Sequence, residues 1–229
     1  MIDVIICWPR DIYYPLFVLQ MNRDRDLFEK VIIVMTAGES NRDFTGNIAI
    51  KDATVLQIGS ASGDWRDIAT KAALSQSKSD YVLFLEQDFF YKKGLIEKIM
   101  KSDADMVGFR DGNRFHPACL LIKKSALSDI TLDFSANPPK HDHFGGLTKQ
   151  LDGKTFEELG IDGWYHLSGL THNFRLPEAF HKRDEFCTYC ELCKELPQPE
   201  DWKRFSKMAN RFSYVYNEEV ASYFDEYIS

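Results

Sequence analysis

Short apolar runs and longer amphipathic stretches alternate along the first half of the chain. The runs are rich in β-formers and too short for buried helices, and they lie at 2–7, 31–35, 54–58 and 81–85. The stretches between and after them place apolar residues at helical spacing, at 14–23, 64–77 and 95–100. Strands that alternate with helices in this order predict an α/β domain with a mostly parallel sheet flanked by helices.

The second half of the chain is less regular. We predict strands at 106–109, 118–122 and 164–167, and short helices at 147–151 and 156–159. From Pro177 onward the composition shifts to charged residues, cysteine and proline, and Trp202 to Tyr216 has the spacing of a final amphipathic helix. We therefore predict a main domain at 1–178 and a small helical appendage at 179–229.

The most informative run is Tyr81 to Leu85, because it ends in the acids Glu86 and Asp88 with Gln87 between them. Alternate residues of a strand project to the same side, so the two carboxylates are expected to leave the strand together. Such acids at the end of a buried strand must face water or a cation, and their hard oxygens suit Mg²⁺ or Mn²⁺. The alternative interpretation of the same residues is a strand that ends in a solvated turn.

Composition narrows the class of protein. The net charge of −7 predicts no broad basic surface for nucleic acid or anionic membrane. No apolar run approaches the length of a membrane-spanning helix, and residues 1–7 do not resemble a signal peptide. Three of the five cysteines are close together, unlike a dispersed disulfide framework, so we expect a cytoplasmic protein.

Residues 1–125 resemble a GT-A-fold nucleotide-sugar glycosyltransferase of the family-2-like group. The resemblance rests on the first strand with its Trp8-Pro9-Arg10 exit and on the helix that leads into Ser79 to Asp88, S-D-Y-V-L-F-L-E-Q-D. That string is similar to the family's strand and D-x-D motif, with Glu86-Gln87-Asp88 in the place of the motif. The strand at 118–122, followed by Lys-Lys-Ser-Ala-Leu, is similar to the family's return strand and helix.

The resemblance implies a divalent cation that bridges the diphosphate of the sugar donor. Asp88 would then bind Mg²⁺ or Mn²⁺, and Glu86 would contact the ribose or the waters of the metal. The family often adds a late histidine as a further ligand, and His172 is the candidate, although an ordinary packed histidine explains it equally well.

The resemblance also implies the donor-binding residues. They would be Trp8, Pro9, Arg10, Glu86 and Gln87, with Arg66 or Lys71 near the phosphates. The second strand ends in Met35-Thr36-Ala37-Gly38, whereas the family usually has an acid there that contacts uracil. The helix before the central strand has Thr70-Lys71 where the family usually has Arg-Asn. A UDP-sugar is therefore only the default donor.

A transferase that inverts the sugar needs a base for the acceptor hydroxyl. In the family an acid after the return strand has this role, which makes Asp142, in His141-Asp142-His143, the first candidate. Asp111 is the second candidate. A metal site formed by the two histidines, or an exposed polar turn, are the other interpretations of this segment.

A second constellation lies near the carboxyl end of the chain. Cys187, Cys190 and Cys193, with His181 upstream, offer four ligands of the kind that bind a structural Zn²⁺. The paired C-x-x-C signature is absent, and three reduced thiols packed under the last helix explain the sequence almost as well.

These observations predict a metal-dependent glycosyltransferase that acts on an acceptor hydroxyl of a glycan, a small molecule or a modified nucleobase. Its partners would be a nucleotide-sugar and the acceptor, with no membrane and with nucleic acid not favoured. One alternative is a nucleotidyltransferase on a similar fold, which would usually have a glycine-rich phosphate loop where this chain has Trp8-Pro9-Arg10-Asp11. Another alternative is a non-catalytic protein that binds nucleotides or sugars.

Overall fold

The computed structural model describes residues 1–8, 15–36, 50–58, 65–86, 89–111, 114–135, 144–160 and 164–166. The strands are β1 (Ile2–Trp8), β2 (Phe28–Thr36), β3 (Ala53–Ile58), β4 (Tyr81–Leu85), β5 (Phe89–Tyr91), β6 (Met106–Asp111), β7 (Arg114–Lys123), β8 (Phe156–Glu158) and β9 (Trp164–His166). The α-helices are α1 (Pro15–Arg23), α2 (Trp65–Gln76), α3 (Leu95–Ile99) and α4 (Gly145–Gln150). Short 3-10 helices occupy Arg25–Leu27 and Lys124–Leu127.

Seven of these strands form one sheet in the order β3-β2-β1-β4-β7-β6-β8. The pairs β1–β2, β2–β3, β1–β4 and β6–β8 are parallel, whereas β7 is antiparallel to both β4 and β6. Strands β5 and β9 form a separate antiparallel pair. The predicted mostly parallel α/β sheet is confirmed.

The carboxyl ends of β1, β2, β3, β4 and β6 lie at one edge of the sheet. Because β7 is reversed, its amino end lies beside the carboxyl ends of β4 and β6. The carboxyl ends of β1, β2 and β3 lie at the same edge, since these strands are parallel to β4. We call this the carboxyl edge. Open α/β sheets bind their ligands outside the carboxyl ends of the strands.

The main hydrophobic core lies between one face of the sheet and the helices α2 and α4. Alternate residues of neighbouring strands supply the sheet side of this core, and small residues of α2 allow the helix to approach closely. The buried cluster includes Ile5, Ile32, Phe84 and Leu120 from the sheet, Ala69 and Ala73 from α2, and Leu147 from α4. Phe84, two residues before Glu86, is therefore held by packing on the helix side.

A buried carboxylate fixes the chain where it enters β4. Asp3 Oδ2 accepts hydrogen bonds from Ser77 Oγ at 2.8 Å, Lys78 N at 2.7 Å and Ser79 N at 2.9 Å. Asp3 is only 1% exposed. Burial by itself raises the pKa of this carboxyl, but the hydrogen bonds from Ser79, Ser77 and Lys78 outweigh it, so the pKa lies below its ordinary value.

One prediction about secondary structure is wrong, and one strand was not predicted. Residues 156–159 were expected to form a short helix, but Phe156–Glu158 is strand β8, which pairs in parallel with Met106–Gly108 of β6. The strand β5, directly after the acidic motif, was not predicted. The appendage at 179–229 lies outside the described residues, so its organisation remains a prediction.

Within the ranges that the structure describes, no helix combines the length and the apolar character needed to cross a membrane.

Candidate active site at the carboxyl edge

The structure brings three of the predicted site residues to the carboxyl edge. Trp8 ends β1, Glu86 directly follows β4, and Asp111 ends β6. Strand β7 separates the last two positions in the sheet. Other predicted site residues lie outside the described ranges: Pro9, Arg10, Gln87, Asp88, Asp142, His172, His181, Cys187, Cys190 and Cys193.

Glu86 is attached to the sheet by its main chain. Its N–H donates to Ala118 O of β7 at 3.1 Å, which extends the β4–β7 pairing by one residue. Its carbonyl accepts a hydrogen bond from Phe89 N at 3.1 Å. The side chain of Glu86 is partly exposed. Two main-chain hydrogen bonds thus fix the first residue of the acidic motif at the edge of the sheet.

The strand that follows the motif is held by a glutamine of α1. Gln20 Nε2 donates to Phe89 O at 3.0 Å, and Gln20 Oε1 accepts from Tyr91 N at 2.8 Å. Gln20 is completely buried. One side-chain amide therefore binds two main-chain groups of β5. Sequence reasoning assigned no role to Gln20, although a polar residue among the apolar positions of α1 was a signal.

Charged residues next to Gln20 reinforce the same contact. Arg23 donates to Tyr91 O at 3.3 Å, and its guanidinium lies 5.2 Å from the centre of the Tyr91 ring. Arg23 also forms a two-pronged ion pair with the buried Asp24, through Nε at 2.9 Å and an Nη nitrogen at 2.8 Å. Burial raises the pKa of Tyr91 well above its ordinary value, so this phenol is neutral at physiological pH.

Stacked rings fill the space between β5–β9 and the end of β6. Trp164 stacks on Phe89 at 5.3 Å and on Phe109 at 4.7 Å, measured between ring centres. Phe109 in turn stacks on His116 of β7 at 4.7 Å. Stacked aromatic pairs add to the stability that burial provides. The rings thereby join the small β5–β9 pair to the main sheet.

His116 was not singled out in the sequence. Its Nδ1 accepts a hydrogen bond from Ala118 N at 3.1 Å, and Ala118 O accepts from Glu86 N. Since Nδ1 is an acceptor, the neutral imidazole has its proton on Nε2. His116 and Glu86 are thus bonded to the two main-chain groups of one residue, which places a buried histidine beside the acidic motif.

The segment that contains the candidate base Asp142 has both of its ends beside β4. Phe144 N donates to Phe134 O at 3.4 Å, and the two rings lie 5.0 Å apart. Both rings also contact Phe84, at 5.9 Å for Phe134 and 5.1 Å for Phe144. Phe144 has a φ of 65°, which bulky residues rarely adopt, and its buried ring is held by these contacts. The described residues on either side of 136–143 therefore pack against β4, which ends one residue before Glu86.

Lys71 and Arg66, the residues of α2 predicted to contact phosphate, differ in what the structure shows around them. Lys71 Nζ lies 2.7 Å from Asp67 Oδ2, one helical turn earlier, and its side chain is 43% exposed. An exposed pair of this kind is weak and can exchange partners. Arg66 belongs to the first turn of α2, whose amino end follows β3. The role of both residues in donor binding remains a prediction.

A divalent cation would find a suitable ligand in Glu86, because carboxylate oxygens are the ligands that Mg²⁺ and Mn²⁺ prefer. Among the described residues no three histidine, cysteine, aspartate or glutamate side chains come together as a metal site. The other predicted ligands of this cation, Asp88 and His172, and the four predicted zinc ligands lie outside the described residues.

Comparison with known proteins gives a fold but no sequence family. No protein-family model matches the chain, and no curated protein matches it. Among solved structures, the mannosyltransferase PcManGT from Pyrobaculum calidifontis, in complex with GDP-Man and Mn²⁺, is similar with a TM-score of 0.50 and 12% identity. That similarity covers 98% of this chain and 78% of the mannosyltransferase. The fold is GT-A-like.

Two further structures place the similarity in context. A mycobacterial protein has a TM-score of 0.50 and 13% identity, over 69% of this chain and 65% of its own. The inositol-1-phosphate CTP transferase from T. maritima has a TM-score of 0.46 and 9% identity, over 69% of this chain and 84% of its own. The similarity to the mannosyltransferase confirms the predicted GT-A-like fold.

Proposed function

We propose that this protein is a metal-dependent glycosyltransferase that moves a sugar from a nucleotide-sugar donor to an acceptor hydroxyl. The observation that supports this proposal is the position of the Glu86-Gln87-Asp88 motif. Glu86 directly follows the central strand β4, at the carboxyl edge of a GT-A-like sheet. Ligands of open α/β sheets bind at this edge.

The residues of the motif would bind different parts of the donor and its metal. Asp88 would bind the cation with help from His172, and Glu86 would contact the ribose or the waters of the metal. Bound Mg²⁺ or Mn²⁺ supplies electrostatic stabilisation of the leaving diphosphate. The complex of the similar mannosyltransferase with GDP-Man and Mn²⁺ supports a metal and a nucleotide-sugar for this fold. UDP remains the default nucleotide.

Donor contacts beyond the motif would come from neighbouring strand ends. Gln87 and the segment Trp8-Pro9-Arg10 would line the nucleotide. Helix α2 would contribute Arg66, in its first turn, or Lys71, near its middle, to the phosphates. Lys71 can do so by leaving its ion pair with Asp67, because exposed pairs contribute little stability.

Transfer also needs a base for the acceptor hydroxyl. Asp142 would accept that proton while the acceptor oxygen bonds to the anomeric carbon and the bond from that carbon to the diphosphate oxygen breaks. The contacts of Phe134 and Phe144 with Phe84 support this choice, since they hold the ends of the Asp142 segment beside β4. Asp111, at the end of β6, is the alternative base.

A thermal-shift experiment with UDP and GDP, each with and without Mn²⁺, tests the proposal. We expect one nucleoside diphosphate to raise the Tm only when Mn²⁺ is present, and Asp88→Ala to abolish this shift. Glu29→Ala is the matched control, because Glu29 is an exposed acid near the opposite edge of the sheet. A wild-type protein whose Tm responds to no nucleotide would contradict the proposal.

The reaction products distinguish a glycosyltransferase from the alternative, a nucleotidyltransferase. A glycosyltransferase releases a nucleoside diphosphate from a nucleotide-sugar, whereas a nucleotidyltransferase releases pyrophosphate from a nucleoside triphosphate and a sugar phosphate. Incubation of the protein with each substrate set, followed by separation of the nucleotides, distinguishes the two reactions. Pyrophosphate release that requires Asp88 would replace the proposed function by the alternative.

A further inference from the structure

The contact between α1 and β5 has an unusual construction. Strand β5 pairs with β9 along one side, and in the described part of the chain no strand pairs with its other side. On that other side the Gln20 amide binds Phe89 O and Tyr91 N, which are the groups that a neighbouring strand would bind. The Gln20 side chain thus takes the place of a strand.

These hydrogen bonds connect directly with the acidic motif. Phe89 is the residue after Asp88, and its N–H donates to Glu86 O at 3.1 Å. Glu86 N is in turn bound to Ala118 O of β7. The chain is therefore fixed immediately before Gln87 by the sheet and immediately after Asp88 by α1.

The cost of burying an amide favours a specific role for Gln20 over simple packing. A buried amide without partners is costly, so its presence in α1 is explained by the two main-chain groups that it binds. Removing it would cost the hydrogen bonds to Phe89 O and Tyr91 N at a buried position. The hydrogen bond from Arg23 to β5 goes to Tyr91 O, which lies farther from the motif, so it does not substitute for the two bonds of Gln20.

We propose that Gln20 is a positioning residue for the donor site: it holds the chain that follows Asp88 and thereby sets the affinity for the metal and the diphosphate. This inference rests on the proposed function. Residues that orient metal ligands typically change metal affinity by about 10- to 100-fold when they are replaced.

The test compares Gln20→Met with Asp3→Asn. Methionine fills a similar volume and removes both hydrogen bonds. Asp3→Asn alters an equally buried polar residue that also binds main-chain groups, but at the entrance of β4, far along the strand from Glu86. For each protein the Tm is measured with the nucleoside diphosphate that stabilises the wild type, UDP or GDP, across a range of Mn²⁺ concentrations.

We expect Gln20→Met to raise the Mn²⁺ concentration for half-maximal stabilisation by about tenfold or more. Asp3→Asn should lower the Tm without nucleotide and leave the Mn²⁺ midpoint within about twofold of the wild type, since it does not touch β5. If Gln20→Met does not fold, Gln20→Asn serves in its place, because its side chain is one methylene shorter and cannot span both main-chain groups.

The possible outcomes separate the two claims. A wild-type protein without a Mn²⁺-dependent response to either nucleotide overturns the proposed function, and the inference with it. A wild-type response together with an unchanged midpoint in the Gln20 variant overturns the inference alone. An equal rise of the midpoint in Asp3→Asn also overturns it, because the effect would then follow from general loss of stability.

Discussion

The carboxylate of Asp67 in α2 holds the main chain of Phe134, with Oδ1 accepting a hydrogen bond from Phe134 N at 2.9 Å. Phe134 and Phe144 form the joined ends of the segment that contains Asp142. Because α2 begins at the carboxyl edge, this bond holds Phe134 near the same edge as Glu86. Asp67 thus links α2 to the residue that precedes the segment of the candidate base.

Asp67→Ala should loosen this attachment. We expect a loss of about 1 kcal/mol in the free energy of unfolding, since one partly buried hydrogen bond disappears. Hydrogen exchange at Phe134 N should become faster by more than the loss of global stability explains. Lys71→Ala is the control, because it removes the exposed ion pair of Asp67 and leaves the bond to Phe134. Equal exchange at Phe134 in both variants would contradict this prediction.

Asp3 predicts a specific dependence of stability on pH. Its pKa is lower in the folded chain than in the unfolded chain, where it is about 4. The contribution of Asp3 is therefore complete above pH of about 5 and is lost as the pH falls through the folded pKa. Urea unfolding between pH 7 and pH 2.5 should show a smaller acid-induced loss in Asp3→Asn than in the wild type.

Asp3→Ala extends the same prediction. This variant removes the acceptor for Ser77, Lys78 and Ser79, and we expect it to lower the free energy of unfolding at pH 7 by about 3 kcal/mol. A loss below about 1 kcal/mol would mean that water replaces the carboxylate.

Gly108 of β6 leaves no room for a side chain beside β7. A Cβ at this position would lie 2.7 Å from Cys119 O and 2.9 Å from Leu120 Cδ1, and the first of these is main chain in the centre of the sheet. Gly108→Ala should therefore cost about 1–3 kcal/mol in the free energy of unfolding. Gly160→Ala, where a Cβ meets nothing within 4 Å, should be neutral. Denaturant unfolding of both variants checks this, and a neutral Gly108→Ala would contradict it.

The two candidates for the base, Asp142 and Asp111, are distinguished by the turnover of their Asn variants. If Asp142 is the base, Asp142→Asn should lower the rate of sugar transfer, measured with the nucleotide-sugar that the wild type uses, by about 10²- to 10⁴-fold. Its Mn²⁺-dependent stabilisation by the nucleoside diphosphate should stay at the wild-type level, because the base does not bind the donor diphosphate. Asp111→Asn should retain most of the turnover. The reverse pattern in the two variants would assign the base to Asp111.

The sequence by itself determined the α/β architecture and the position of Glu86 directly after the central strand. Buried parallel strands consist of continuous apolar runs, so Tyr81–Leu85 was visible as a strand, and its end at Glu86 followed directly. The helix of α2 was visible for a similar reason, since its apolar face repeats over three turns. These signals lie within one segment of the chain, so they can be recognised without knowing which other segments pack against it.

Only the tertiary structure decided which strands meet and what holds the motif in place. Phe156–Glu158 has three residues, too few for a pattern, and it became a strand because it pairs with β6 about fifty positions earlier in the chain. The reversal of β7 decided that Glu86 and Asp111 share one edge. Gln20 binds β5 across a sequence separation of about seventy residues. Such contacts depend on chain segments brought together by folding, and no periodicity within one segment encodes them.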